Sequence, residues 1–122
     1  MEDVLQIGGV DLRRLARAVG TPLLVYDEEA LRKRMDQYAA AFRHPQLETQ
    51  TVYAGKAFLC GAMVRLVDEA GWWLDVVSGG ELACALRSGM PPRRILFQGN
   101  RNTPAELAAA FDVGVGAVVV DN

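Results

Sequence analysis

Lys56 stands at the end of the apolar run Thr51-Val52-Tyr53-Ala54-Gly55, and Asp75 lies inside a second run, Trp72-Trp73-Leu74-Asp75-Val76-Val77. Glu81 follows shortly after, behind Ser78-Gly79-Gly80. Charged side chains are poor material for buried strands, so each needs a reason. A lysine amine at the C-terminal end of a parallel strand sits where β/α proteins build their active sites. Partial desolvation there lowers its pKa and makes it a nucleophile able to form a Schiff base. The plainer alternative is a lysine whose stem covers apolar surface while its ammonium stays in water.

Asp75 carries a similar choice. A buried carboxylate is costly unless paired, and Lys56 is the natural partner if the two runs are neighbouring strands. Otherwise Asp75 is a strand-edge aspartate in water. Glu81 sits three residues beyond Ser78, the position that closes a capping box, which accounts for it without a ligand and leaves room for contact with a cofactor. Gly79-Gly80 at the same turn offers backbone N–H groups to an anion, but it lacks the GxGxxG spacing and the P-loop lysine, so the signal is weak. Gln98-Gly99-Asn100 ends a third apolar run and reads equally as polar lining or as a plain turn. Of Trp72 and Trp73, one is expected in the core and the other over a helix-packing surface, and neither is assigned to a ligand.

Composition removes several function classes. Thirteen basic and fifteen acidic residues give a net charge of −2, which argues against a nucleic-acid surface. The densest basic cluster, Arg32-Lys33-Arg34, lies within a helical pattern and reads as a solvated face. The single histidine, His44, precedes Pro45 in a polar loop, so a histidine-based triad within the chain is not expected. Cys60 and Cys84 have neither CxxC nor Cys/His ligand spacing, which fits a reducing compartment and argues against a disulfide scaffold and a zinc site. The N-terminus has no signal-peptide pattern, and no apolar stretch reaches the roughly 20 residues that span a bilayer. The expectation is a cytoplasmic protein.

The elements that must position these residues follow a period. Apolar, β-branched runs begin at Val52, Leu74, Ile95 and Ala117, spaced 22, 21 and 22 residues apart, with a helical pattern in each gap. This is the signature of βα units and a parallel sheet. Ser78 and Thr103 each open a helix with a glutamate three residues on, and Pro104 occupies the first helical position of the second. Leu59 to Val67 makes the crossover between the first two runs, ended by Gly71. Asp27 caps a helix with the apolar face Leu31, Met35, Tyr38, Ala39 and Phe42. Asp11 caps a shorter one, followed by Gly20-Thr21-Pro22 and an expected strand over Leu23-Leu24-Val25-Tyr26 that breaks the period. The fold class is α/β: about four βα units, half of a (β/α)8 barrel, preceded by a helix and strand outside the repeat. An open doubly wound sheet is the alternative. Four units leave open apolar edges, so the chain is expected to be a fragment or half of an assembly.

The ordered set TPLLVYD, YAGKAF, LDVVSGGEL, PPRRILFQGN and GVGAVVVDN resembles the N-terminal part of the fold-type III pyridoxal-phosphate-dependent decarboxylases, in the diaminopimelate branch of that family. The likeness covers roughly residues 20 to 122. It implies that Lys56 is the Schiff-base lysine, and that Asp75 and Glu81 belong to the cofactor pocket. It implies pyridoxal 5'-phosphate as cofactor and a small amino-acid substrate, meso-diaminopimelate, converted to L-lysine and carbon dioxide in lysine biosynthesis. It also implies a homodimer for the intact enzyme, residues 1–27 as part of a separate β-domain, and residues 28–122 as the first half of a pyridoxal-phosphate barrel.

The resemblance has departures. Where related sequences read HGNNK after the third barrel strand, this chain has Gln98-Gly99-Asn100-Arg101-Asn102. The family's ring-stacking histidine, phosphate loop and pyridine-pairing glutamate correspond to nothing within these residues, so the chain is expected to be inactive alone. Other enzymes of the fold type, such as ornithine- or arginine-type decarboxylases and racemases, are the alternatives within catalysis. A non-catalytic pyridoxal-phosphate-binding protein is the alternative outside it.

Overall fold

The computed structural model describes residues 5–120, and the chain divides into two compact units, Met1–Arg43 and His44–Asn122. In the first unit, β1 (Gln6–Ile7) and β2 (Val10–Asp11) form an antiparallel hairpin with Gln6 opposite Asp11 and Ile7 opposite Val10. Its two-residue loop is Gly8-Gly9, with φ of +55° and +73°, the left-handed pair that a tight hairpin turn demands. Asp11 then caps α1 (Leu12–Val19), accepting from the Arg13 and Arg14 amides at 2.8 and 3.2 Å. Asp27 caps α2 (Glu28–Ala41) through the Ala30 amide at 3.0 Å, with Glu28 and Glu29 in the first turn, where the helix dipole favours acids.

Two expectations for this unit need correction. Residues 23–26 form no strand: among the described residues none pairs with this segment, and an apolar run without a ladder partner has nowhere to place its backbone hydrogen bonds. The apolar face of α2 is only partly covered. Met35 is buried and Leu31 and Ala39 half-buried, while Tyr38 and Phe42 are exposed.

The second unit carries the period. Strands β3 (Val52–Ala54), β4 (Trp73–Val76), β5 (Ile95–Phe97) and β6 (Ala117–Val118) form one parallel sheet in that order. Helices α3 (Gly61–Glu69), α4 (Gly79–Arg87) and α5 (Pro104–Val113) fill the gaps. This is the βα alternation of a (β/α)8 barrel over four successive strands. Leu74 pairs with Ile95 and Val76 with Phe97, so these four residues share one face, and all are fully buried. Burying each contributes about 1.5–3 kcal/mol relative to exposure. Met63, Val64, Leu66 and Val67 of α3, Leu82 and Ala85 of α4, Met90, and Ala110 of α5 are the other buried apolar residues of this unit. The opposite face carries Ala54, Asp75 and Leu96, in register with one another.

At the N-terminal ends of the strands, Arg94 joins neighbouring connections. Its guanidinium donates to the Asp68 and Trp72 carbonyls at 3.2 and 3.4 Å and pairs with the Asp68 carboxylate. Gly116 packs directly on the Arg93 carbonyl and against the Trp73 ring, a space that a Cβ would fill. Both tryptophans are half-buried, so neither is the fully enclosed core residue expected. Among the described residues, no helix is long and apolar enough to cross a membrane.

Candidate functional site

The chain leaves β3 through a single 3-10 turn, Gly55–Ala57, which carries Lys56 at the C-terminal end of the sheet. The Tyr53 hydroxyl donates to the Phe58 carbonyl at 2.8 Å and braces this turn from below. Gly55 is buried, and a Cβ on it would lie 2.7 Å from the Asp75 backbone oxygen. Only glycine lets the turn sit this close to β4. Lys56 itself is exposed.

Asp75 lies beside this turn with only 6% of its surface exposed. Its Oδ2 accepts from Gln98 Nε2 at 2.7 Å, while its buried Oδ1 has no hydrogen-bond partner. Burial raises the Asp75 pKa above its ordinary value; the positive charge of Lys56 and the Gln98 hydrogen bond pull it down, and the Glu81 charge adds to the rise. The direct partner of Asp75 is therefore Gln98, and Lys56 acts on it through its field rather than through an ion pair. Of the two readings open for Gln98, polar lining holds, because β5 delivers its amide onto a buried carboxyl.

Glu81 departs from the expected capping box. Ser78 Oγ accepts from the Glu81 amide at 3.2 Å, the first half of the box. The Glu81 carboxylate, however, accepts from the Val77 amide at 2.8 Å through Oε2 instead of closing on Ser78. This places it over the start of α4, with Oε2 3.7 Å from the position a Gly55 Cβ would take. Lys56, Asp75 and Glu81 thus converge at one end of the sheet, from β3, β4 and α4. A cavity of about 430 Å³ opens there, lined by Lys56, Val77, Gln98, Gly99, Asn100 and Val119.

Glu106 serves two helix starts. It closes the expected box with Thr103, its Oε2 accepting from the Thr103 amide and hydroxyl, each at 2.9 Å. Its Oε1 also accepts from the Gly79 amide at 2.8 Å. These hydrogen bonds, the Thr103 amide foremost, hold its pKa below the usual carboxylate range. The Gly79 N–H weighed as an anion donor is therefore already taken, by a carboxylate of this chain. The box motif signals one half of this role, and nothing local signals the other.

The sequence matches the family described as "Pyridoxal-dependent decarboxylase, pyridoxal binding domain" over residues 28–122. It is 48% identical over 118 residues to the diaminopimelate decarboxylases of Halalkalibacterium halodurans and Bacillus subtilis. Each alignment covers 97% of this chain and 27% of the relative. The chain therefore spans about a quarter of the length of the curated relatives it matches. The crystal structure of diaminopimelate decarboxylase from M. jannaschii superposes on all of the chain and on 29% of that protein, with a TM-score of 0.90 and 36% identity. A buried carboxyl beside a strand-end lysine thus lies on a scaffold shared with these enzymes, and the chain belongs to the pyridoxal-dependent decarboxylase family through its pyridoxal-binding domain.

Proposed function

We propose that this chain is the cofactor-attachment segment of a pyridoxal-phosphate-dependent decarboxylase that converts meso-diaminopimelate to L-lysine and carbon dioxide. The observation that carries this reading is the exposed Lys56 amine at the end of β3, next to a buried Asp75 with one unpartnered oxygen. In this reading Lys56 is the catalytic residue that holds the cofactor, and Asp75 and Glu81 are cofactor-binding residues. Residues 1–27 belong to a β-domain and 28–122 to the first half of the barrel. A homodimer and a cytoplasmic location belong to the same reading.

The residues present fit the carbonyl end of such a cofactor. A primary amine, a carboxyl with an open acceptor, and a polar cavity lined by Gln98 and Asn100 are the donor set that an aldehyde with polar ring substituents requires. Pyridoxal phosphate, when bound, supplies an electron sink for the carbanion left when carbon dioxide departs. The chain's own residues do the rest. Lys56 presents Nζ on a turn fixed by Gly55 and by the Tyr53–Phe58 hydrogen bond. Asp75 offers Oδ1 as a buried hydrogen-bond acceptor. Glu81 spends one oxygen on the Val77 amide, which fixes the turn into α4, and keeps Oε1 for a ligand.

An ornithine- or arginine-type substrate is the alternative. The M. jannaschii enzyme has also been crystallised with L-lysine, and that structure superposes with a TM-score of 0.89, which favours the diaminopimelate branch. The test uses the chain's two lysines, Lys33 and Lys56. The folded chain is titrated with pyridoxal phosphate, reduced with borohydride and mapped by mass. A stoichiometric adduct on Lys56 is expected. Label on Lys33 alone, or none in a folded chain, overturns the reading.

A further inference from the structure

Gln98 is the first residue beyond β5, and its backbone is pinned there by an N–H donated to the Val76 carbonyl at 2.9 Å. From that fixed point its side-chain amide reaches Asp75 Oδ2 at 2.7 Å. A carboxyl is two-fold symmetric about its terminal torsion, so one anchored oxygen is enough to define which oxygen stays free. The free one, Oδ1, is buried and unpartnered. Gln98 also lines the same cavity as Lys56.

We propose that Gln98 is a positioning residue for Lys56, acting through Asp75: its amide holds the carboxyl in one orientation and favours the charged form, whose field reaches the lysine amine. This rests on the proposed function only in naming Lys56 as the attachment point. The charged groups facing Asp75 are Lys56, beyond β3, and Glu81, on α4; from β5 the neighbour is the neutral Gln98 amide. Burial and Glu81 favour the neutral carboxyl, while Lys56 and Gln98 favour the charged one. Burial is the largest of the four, so loss of the Gln98 donor removes one of the two influences that hold the carboxyl charged and moves it further toward the neutral form.

Competitive acetylation of the chain with acetic anhydride, quantified by peptide mass mapping, tests this without any cofactor. Lys33, exposed on α2, is the internal reference. Labelling of Lys56 relative to Lys33 is expected to change as rising pH ionises Asp75, because the charge facing the lysine changes. In Gln98→Met, which removes the donor at nearly constant volume, the change moves to higher pH. Gln98→His, which retains a ring N–H, returns it toward the original position. Asp75→Asn flattens the profile, and Gln98→Met then adds nothing. Near-UV circular dichroism of Trp72 and Trp73 checks that the variants remain folded, and Gln98→Leu, which also lacks a donor, carries the test if the methionine variant does not fold. A profile unchanged in Gln98→Met, or one that Gln98→Met still alters in the Asp75→Asn background, overturns the proposal. Failure of pyridoxal phosphate to attach would instead sink the reading of the previous section alone.

Discussion

Glu106 accepts the Gly79 amide at 2.8 Å, so a side chain in the first turn of α5 supplies a backbone acceptor for the first residue of α4. One carboxylate therefore caps two helices, its own through Oε2 and its neighbour through Oε1. The α4 start is also where Ser78 and Glu81 are organised, so this carboxylate supports the turn that carries a candidate site residue.

Glu106→Gln is expected to lower the melting temperature at neutral pH, because an amide nitrogen cannot accept from Thr103. The folded-state pKa of Glu106 lies below its ordinary value of 4.5. Its contribution is then fully present above that value and is lost as pH falls through the lower, folded value. Melting curves of both proteins should differ at pH 7 and converge in acid. Curves that stay parallel across this range would show that the Glu106 carboxylate is not ionised on the helix ends.

Asp75 has the opposite sign. Burial raises its folded pKa above 3.8, so ionisation is harder in the folded chain and stability falls as pH rises from 3.8 through the folded value. Asp75→Asn removes that liability. Urea unfolding should show the variant gaining on the original protein between acid and neutral pH. An unchanging difference would mean that the carboxyl is solvated in the folded state.

Gly55→Ala places a methyl 2.7 Å from the Asp75 carbonyl, a backbone atom that cannot swing aside. The strands must part, at a cost of about 1–3 kcal/mol by comparison with overpacked cores. Chemical denaturation reads the loss. Stability equal to the original protein would show that β3 and β4 are less tightly joined at this point than the geometry indicates.

Lys56→Ala should abolish any borohydride-stable pyridoxal adduct while leaving the far-UV spectrum intact, since the side chain is exposed. Its effect on stability should depend on pH. Where Asp75 is ionised the variant loses a compensating positive charge and melts earlier, and where Asp75 is neutral the two melt together. Retention of the adduct would move the attachment point away from Lys56.

The features legible in the sequence are those with a local code. A cap is written within three or four residues, so Asp11, Asp27, Ser78 and Thr103 all fall where expected. The four strands are legible because a β-branched run, a turn and a helical pattern recur at nearly constant spacing. Contacts across elements have no such code. Gln98 reaches Asp75 across 23 positions, and Glu106 reaches Gly79 across 27, so both depend on strand register and helix packing. The strand expected over residues 23–26 fails for the same reason, since propensity is local and a ladder needs a partner. The Gly8-Gly9 hairpin is different: its turn is legible in principle, but each flanking strand is only two residues long, too short for any alternation to register.

Arg94 and Gly116 fasten the sheet where its strands begin, while Lys56, Asp75 and Gln98 gather where they end. Cohesion and chemistry are thereby written at opposite poles of the same strands. The residues that line the cavity can therefore change without loosening the fastening that keeps the strands in register.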